Sequence, residues 1–292
     1  MAAASPCPYY SLVRCPVCGH IAVSEVEPRV RNPQLQAQYF GEAFAQRSGA
    51  FITFYESINS RRLIPALRLA PHSKVLEVGP GSGSVMADLA AQGHEVIGLD
   101  LSQAVASEIG KRLGLRVFVQ TLAKHAADNC SECYDAIVMR HVLEHFAEPC
   151  AALRDTFGLL KAGGQLYVAV PNMAAWHSRW RGWSGYAPYH LHYFGPESLS
   201  AALRRAGFQL THQSSYESLT GWPNTLFRSI HRKGCDAETN FSAFESGSWS
   251  VARNALEIAR LALGLVLSPL RWLQSALGRG EELVVIALKP RS

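Results

Sequence analysis

From Val75 onward, short apolar runs alternate with stretches whose apolar positions recur every three or four residues. "KVLEVG" has the continuity of a strand buried on both faces, and "SVMADLAAQG" has helical spacing and closes on Gly93. "HEVIGLD" predicts a second strand, followed by a helix through "SQAVASEIGKRLG" that Ser102 caps and Gly114 ends. "LRVFVQ", "YDAIVM" and "QLYVAVP" predict three more strands, with a helix through "AALRDTFGLLKAGG" ahead of the last. Strands that are apolar along their whole length and alternate with helices form a parallel sheet covered on both faces. The predicted fold class is therefore α/β, a doubly wound sheet. A helix in "GPESLSAALRRAGF", a strand near "QLTHQSSYE" and a closing strand in "EELVVIALKP" complete it.

The pattern changes outside this block. Residues 31–72 read as helices joined by short turns, a cap before the sheet, and residues 1–30 form a cysteine-containing arm. Residues 218–280 read as an insertion that begins polar and loop-like and ends helical, and 281–292 hold the final strand, which closes a sheet domain spanning 73–217. In "ALEIARLALGLVLSPLRWLQSAL" the polar or small positions fall three or four apart, which leaves a narrow polar stripe on a broadly apolar helix. Ser268 followed by Pro269 predicts a capped restart, so two helices are expected rather than one. Their apolar face is wider than a helix buries against one neighbour. A peripheral membrane contact or a homodimer through residues 250–277 is the expectation that follows.

Composition narrows the classes. With 17% charged and 48% hydrophobic residues in 292, the chain belongs to the globular regime and has a core to build. Its net charge of +5 is scattered rather than gathered in a stripe, so no nucleic-acid partner is expected. Seven cysteines, an odd number, speak for reduced thiols rather than a disulfide framework. The amino terminus lacks the basic and apolar regions of a secretory signal, and "LALGLVLSPL" is too short to span a bilayer. The expected location is cytoplasmic, with peripheral attachment to the inner face of the membrane as the variant of it.

Candidate chemistry begins at "KVLEVGPGSGSV". A glycine-rich turn after the first strand of an open parallel sheet lies at the edge where such sheets bind ligands. Gly79, Gly81 and Gly83 give G-x-G-x-G, whereas a dinucleotide fingerprint needs G-x-G-x-x-G, and Ser84 occupies the third glycine's place. Glu77 sits inside a buried strand, where a carboxylate calls for a cationic or hydrogen-bonding partner. Asp100 ends the second strand, placed to accept hydrogen bonds from both hydroxyls of a ribose. A nucleoside carrying an amino-acid tail meets these demands better than a pyrophosphate.

"VLEVGPGSGSV", Asp100 closing "HEVIGLD", "YDAIVMRHVLEH", "LKAGGQLYVAVPN" and "HLHYFGPESLSAALRRAGF" together resemble a class I S-adenosylmethionine-dependent methyltransferase with its Rossmann-like sheet. The likeness is to the branch of ubiquinone-type O-methyltransferases and of methyltransferases from polysaccharide and natural-product clusters. It implies S-adenosylmethionine as cofactor, with Gly79, Gly81 and Gly83 lining the methionine and ribose and Glu77 holding the amino group. It implies further that Asp100, with Leu101 beside it, takes the ribose hydroxyls, and that Arg140 lies beside the methionine. The usual acid for the adenine is missing from "VQTLAKHAAD", which leaves Leu122 and Ala123 as its expected neighbours. Tyr39 and Arg62 resemble the family's lid residues. The implied acceptor is a small molecule, a glycan or a lipid-linked group.

Methyl transfer to oxygen or nitrogen calls for direct in-line positioning and, near the transition state, for loss of a proton. His190 and His192 in "PYHLHYF" are the first candidates for the base, and His141 in "RHVLEH" the third. His145 either packs or serves the acceptor side. The aromatic run "AAWHSRWRGWSGYAPYH" reads equally as an acceptor pocket or a packed loop. Cys15, Cys18 and His20, with Cys7, offer part of a zinc knuckle, against the alternative of a reduced arm. Cys130 and Cys133 have nothing nearby to complete a site, and the reaction itself requires no metal. Two other classes stay open: an NAD-binding oxidoreductase on the same turn, and a binding protein of this fold without activity.

Overall fold

The computed structural model describes residues 11–24, 62–128, 133–187, 189–230 and 251–291, with the backbone alone for 251–258. Tyr39, Cys7 and Cys130 lie outside these residues, as does most of the expected helical cap. Contacts divide the chain into two compact units. The first comprises Pro28–Ala169, Ser200–His212 and Val285–Ser292, and the second Met1–Glu27, Val170–Leu199 and Gln213–Val284.

Ten strands are described. β1 (Leu12–Arg14) and β2 (Ile21–Val23) lie in the amino-terminal arm, β3 (Lys74–Val78), β4 (Glu95–Asp100), β5 (Arg116–Val119), β6 (Tyr134–Arg140) and β7 (Leu160–Pro171) follow, then β8 (His192–Tyr193), β9 (Gln209–Tyr216) and β10 (Glu282–Leu288). Seven of them form one sheet in the order β5-β4-β3-β6-β7-β10-β9. The pairs β3 with β4, β3 with β6, β4 with β5 and β6 with β7 are parallel, as continuous apolar strands predict. β10 runs against β7: Gly163 N donates to Lys289 O at one end, and Asn172 N to Glu281 O at the other.

The helices in the sheet block are α1 (Ser84–Ala91), α2 (Gln103–Leu113), α3 (Leu122–Asp128), α4 (Pro149–Leu159) and α5 (Pro196–Arg205). Ser102 caps α2 by accepting from Val105 N, and Gly114 ends it in the left-handed region, as expected. α4 stops earlier than its apolar period suggests. From Leu160 the chain is already strand, because the far end of β10 offers Gly163 and Gly164 backbone partners through Lys289. In the first unit Leu76, Ile137 and Val168 are fully buried along the central strands, each such side chain contributing about 1.5–3 kcal/mol of transfer free energy.

The second unit holds a three-stranded sheet, β1-β2-β8, antiparallel throughout, in which Ala22 pairs with His192 and Ile21 with Tyr193. Val23, Trp183, Tyr186 and Tyr193 form its core. Most of the aromatic run is thus a packed loop: Trp183 meets Tyr186 edge to face at 5.1 Å, and Tyr186 Oη donates to Ser178 O. The insertion starts as a helix, α6 (Gly221–Ile230), where the sequence reads as loop, and continues as α7 (Val251–Val266) and α8 (Ser268–Ala276). The break at Ser268 and Pro269 is as predicted, but the cap is not. Leu267 holds the N-cap position, and Ser268 Oγ instead donates back to Gly264 O at 3.3 Å. Among the described residues no helix is long and apolar enough to cross a membrane, and no disulfide is formed.

Candidate active site

In the first unit, β3, β4 and β6 bring their carboxyl ends together, and the glycine turn leaves from β3. Gly79 N still donates to Leu99 O at 2.8 Å, so the sheet register persists through the first glycine. Gly79, Gly81 and Gly83 then take φ of +66°, +53° and +74°. Three left-handed residues within five positions would cost any L side chain strain at each, which is why the glycines alternate. A Cβ on Gly79 would stand 2.6 Å from Val142 Cγ2, so the turn is pressed against the loop that follows β6. At Gly83 the same atom would meet Leu113 and Ile109 of α2 at 3.0–3.2 Å.

Two carboxylates flank this turn. Glu77 is 3% exposed and pairs with Gly98 on one side and Val138 on the other, the middle of the sheet. Asp100 ends β4, and its Oδ1 accepts from Ser102 N at 2.8 Å. Burial pushes the Asp100 carboxyl above the usual aspartate range, against the pull of the Ser102 and Leu101 amides. Acceptors for an ammonium and for a pair of hydroxyls therefore lie on adjacent strands, with close backbone between them. The residues fit the amino-acid and ribose ends of the expected cofactor. Leu101 is exposed beside Asp100, Leu122 is buried at the start of α3 with Ala123 exposed after it, and Arg140 is half-buried at the end of β6. Arg62 is exposed on a helical segment over 62–67.

His141 follows β6 directly. It is one of three non-glycine residues with positive φ among those described, at +51°, and its N donates to Ala169 O at 2.8 Å. Its Nδ1 lies 3.5 Å from Oε1 of Glu144, a carboxylate with no solvent exposure. Glu144 escapes the sequence reading, although the i, i+3 spacing in "HVLE" is its signal once a tight turn is known to follow β6.

The other candidate histidines belong to the second unit. His190 Nδ1 is 2.8 Å from Gly185 O, and since a carbonyl only accepts, Nδ1 carries a proton and donates. His192 Nδ1 faces His20 Nε2 at 2.9 Å. Burial, and then His192, lower the His20 pKa to about 4, so His20 is neutral at pH 7. The "CPVCGH" turn is built, with Cys15 N donating to His20 O and Gly19 N to Cys15 O. A further cluster went unread in the sequence: His177, Glu217 and Glu281, from the loop after β7, the segment after β9 and the residue before β10. Nothing in their spacing announces a contact between residues 40 to 104 apart.

Comparison with known proteins agrees with the geometry. A methyltransferase-domain family model matches residues 51–213. The ubiquinone biosynthesis O-methyltransferase of Aliivibrio fischeri strain ES114 is 33% identical over 106 residues, covering 34% of this chain and 44% of that protein, so the chain spans less than half of that relative's length. The protein of the same description from Xanthomonas axonopodis pv. citri is 30% identical over 201 residues, covering 63% and 78%. Among solved structures, a SAM-dependent methyltransferase from Archaeoglobus fulgidus has a TM-score of 0.55 at 18% identity, covering 81% of this chain and 94% of that one. The Burkholderia thailandensis 1,6-didemethyltoxoflavin-N1-methyltransferase has 0.52 at 14%, covering 95% and 98%. Likenesses at such identities show the fold alone, and the [4+2]-cyclase SpnF shares it too, with a TM-score of 0.53 at 17% identity and 81% of each chain covered. The family model, matched across more than half of the chain, makes it a member of the class I S-adenosylmethionine-dependent methyltransferases.

Proposed function

We propose that the chain transfers the methyl group of S-adenosylmethionine to an oxygen or nitrogen of a small-molecule acceptor, with a histidine taking the proton. The observation that carries this reading is the pair of carboxylates, Glu77 and Asp100, at the carboxyl ends of adjacent strands on either side of a left-handed glycine turn. The cofactor, when bound, supplies an already activated methyl group. What remains for the chain is to bind and orient it and to move a proton. Glu77 would hold the amino group, Gly79, Gly81 and Gly83 would allow the backbone to approach the methionine and ribose, Asp100 would accept from the ribose hydroxyls, and Arg140 would lie beside the methionine.

For the proton, His190 is the first choice, because its Nδ1–H, anchored on Gly185 O, fixes the orientation of the ring. His192 comes next and His141 third. The names of the relatives favour a phenol-like acceptor on the pattern of ubiquinone precursors. A glycan or lipid-linked acceptor is the finer alternative. Calorimetry with S-adenosylhomocysteine and with NAD tests the cofactor reading. The parent should bind the first and not the second, and Asp100→Ala or Gly81→Val should weaken binding at least tenfold with the fold retained. Unchanged affinity in both variants overturns the site.

A further inference from the structure

The sheet β1-β2-β8 has two unlike faces. Leu12, Ile21, Val23 and Tyr193 pack into the aromatic core around Trp183. Side chains alternate along a strand, so the pairings of Val13 with Ala22 and of Ala22 with His192 put those three residues on the opposite face. The hairpin register runs one step past Arg14 and Ile21, where Cys15 N donates to His20 O at 2.8 Å. Cys15, His20 and His192 therefore share the face that the core does not use.

The turn between Cys15 and His20 carries the second thiol. Gly19 N donates back to Cys15 O at 3.0 Å with φ at +68°, a conformation that suits glycine. Val17 is 85% exposed at the tip, whereas Cys15 and Cys18 are half-buried, so both cysteines tuck under the turn. Neither is in a disulfide. On the same side His20 Nε2 and His192 Nδ1 face each other at 2.9 Å. Two nitrogens on one zinc ion, each at about 2.0–2.1 Å and at the tetrahedral angle, stand roughly 3.3 Å apart, so the rings need to open by only a few tenths of an ångström. Two thiolates in a C-x-x-C turn with two imidazoles are the donor chemistry of a closed tetrahedral zinc site. Among the described residues, the groups whose three donor atoms all stand within 4.8 Å of one another lie elsewhere. The movement left for the metal to drive is rotation of each thiol about its one side-chain torsion, on backbone already in place. The sheet has a use for such a staple, because strands of three, three and two residues bury little by themselves.

We propose that Cys15, Cys18, His20 and His192 hold a structural zinc ion that ties the amino-terminal hairpin to β8. Binding releases the two thiol protons to solvent. The proposal does not rest on the methyl-transfer reading, although a zinc-bound His192 could not also serve as its base. The test is the zinc content of the whole chain, purified from zinc-supplemented cells, together with the visible spectrum after exchange for cobalt. Cys15→Ser/Cys18→Ser, His20→Gln, His192→Gln and Cys7→Ser variants are measured alongside. The parent should carry about one zinc ion per chain and, as the cobalt form, show thiolate-to-metal charge transfer with the intense bands of tetrahedral geometry. The cysteine double variant should hold less than about a tenth of the parent's zinc, each histidine variant should lose zinc to EDTA at least about tenfold more readily, and Cys7→Ser should match the parent. A parent without zinc, or a cobalt form without charge transfer, overturns the proposal whether or not any variant folds. Parent-like zinc retention in both histidine variants, or loss of zinc in Cys7→Ser, overturns this donor set.

Discussion

His177 Nε2 lies 2.9 Å from Oε1 and 3.0 Å from Oε2 of Glu217, and neither side chain reaches solvent. The same carboxylate accepts from Gln274 and from Glu281 N, so one buried charge ties together the loop after β7, the segment after β9, α8 and the approach to β10. Removing one partner of such a pair leaves a charge uncompensated. His177→Ala should lower unfolding stability by about 3–5 kcal/mol, and the Glu217→Gln/His177→Ala double variant by less. Denaturant titrations of the two check this, and equal losses would refute it.

The Glu217 carboxyl gives stability a pH dependence of definite sign. Burial pushes the Glu217 carboxyl above its usual range, with His177 pulling the other way. A group that holds its proton more tightly when folded lends stability on the acid side and loses it as pH rises through its raised pKa. The stability of the parent relative to Glu217→Gln should therefore fall as pH climbs above the ordinary glutamate value of about 4.3. Melting temperatures of both proteins from about pH 4 to about pH 8 measure it.

If Asp100 takes the ribose as proposed, cofactor binding has an acid limit. Burial raises its pKa, and an ionised carboxylate is the better acceptor for ribose hydroxyls. Affinity for S-adenosylhomocysteine should decline as pH falls through a midpoint above the ordinary aspartate value of about 3.9, by up to about tenfold per pH unit. Asp100→Asn should bind more weakly and show a flat profile. Calorimetry across that range decides, and a sloping profile in the variant would assign the titration to another group.

At Gly79 two penalties can be separated. Alanine there meets both the left-handed φ and Val142. Gly79→Ala should cost roughly 1–3 kcal/mol from backbone strain alone, with the clash added. Val142→Ala in the same chain should recover only the steric part. A double-mutant cycle with no coupling between the two positions would show that the loop after β6 simply yields.

For the proton, His190→Ala should reduce turnover about 10²- to 10⁴-fold with cofactor affinity nearly unchanged. Single-turnover methyl transfer with an acceptor found by screening phenols reads it out, with His192→Ala and His141→Ala alongside. Rates within about threefold of the parent for all three would leave positioning alone to carry the reaction.

The amino-acid order by itself determined the elements of the sheet and brought out one half of the candidate site. The periodicities of "KVLEVG", "HEVIGLD" and "YDAIVM", the caps at Ser102 and Gly114, and the glycines that need positive φ are local properties, each fixed by a few neighbours, and local physics acts alike before and after folding. Glu77 and Asp100 were legible for the same reason: one lies a residue before the end of β3 and the other ends β4, its parallel neighbour. Tertiary structure alone decided the rest. That β7 begins at Leu160 depends on Lys289, which arrives from the end of the chain. His20 meets His192, and His177 meets Glu217, across 172 and 40 residues, and no spacing encodes those contacts. The broad apolar face of α7 and α8 was visible as a pattern, but which side faces inward was not. The sequence rule that polar residues look outward fails on α8, because Glu217 and its neighbouring carbonyls lie buried beneath it and need Arg271 and Gln274 more than water does.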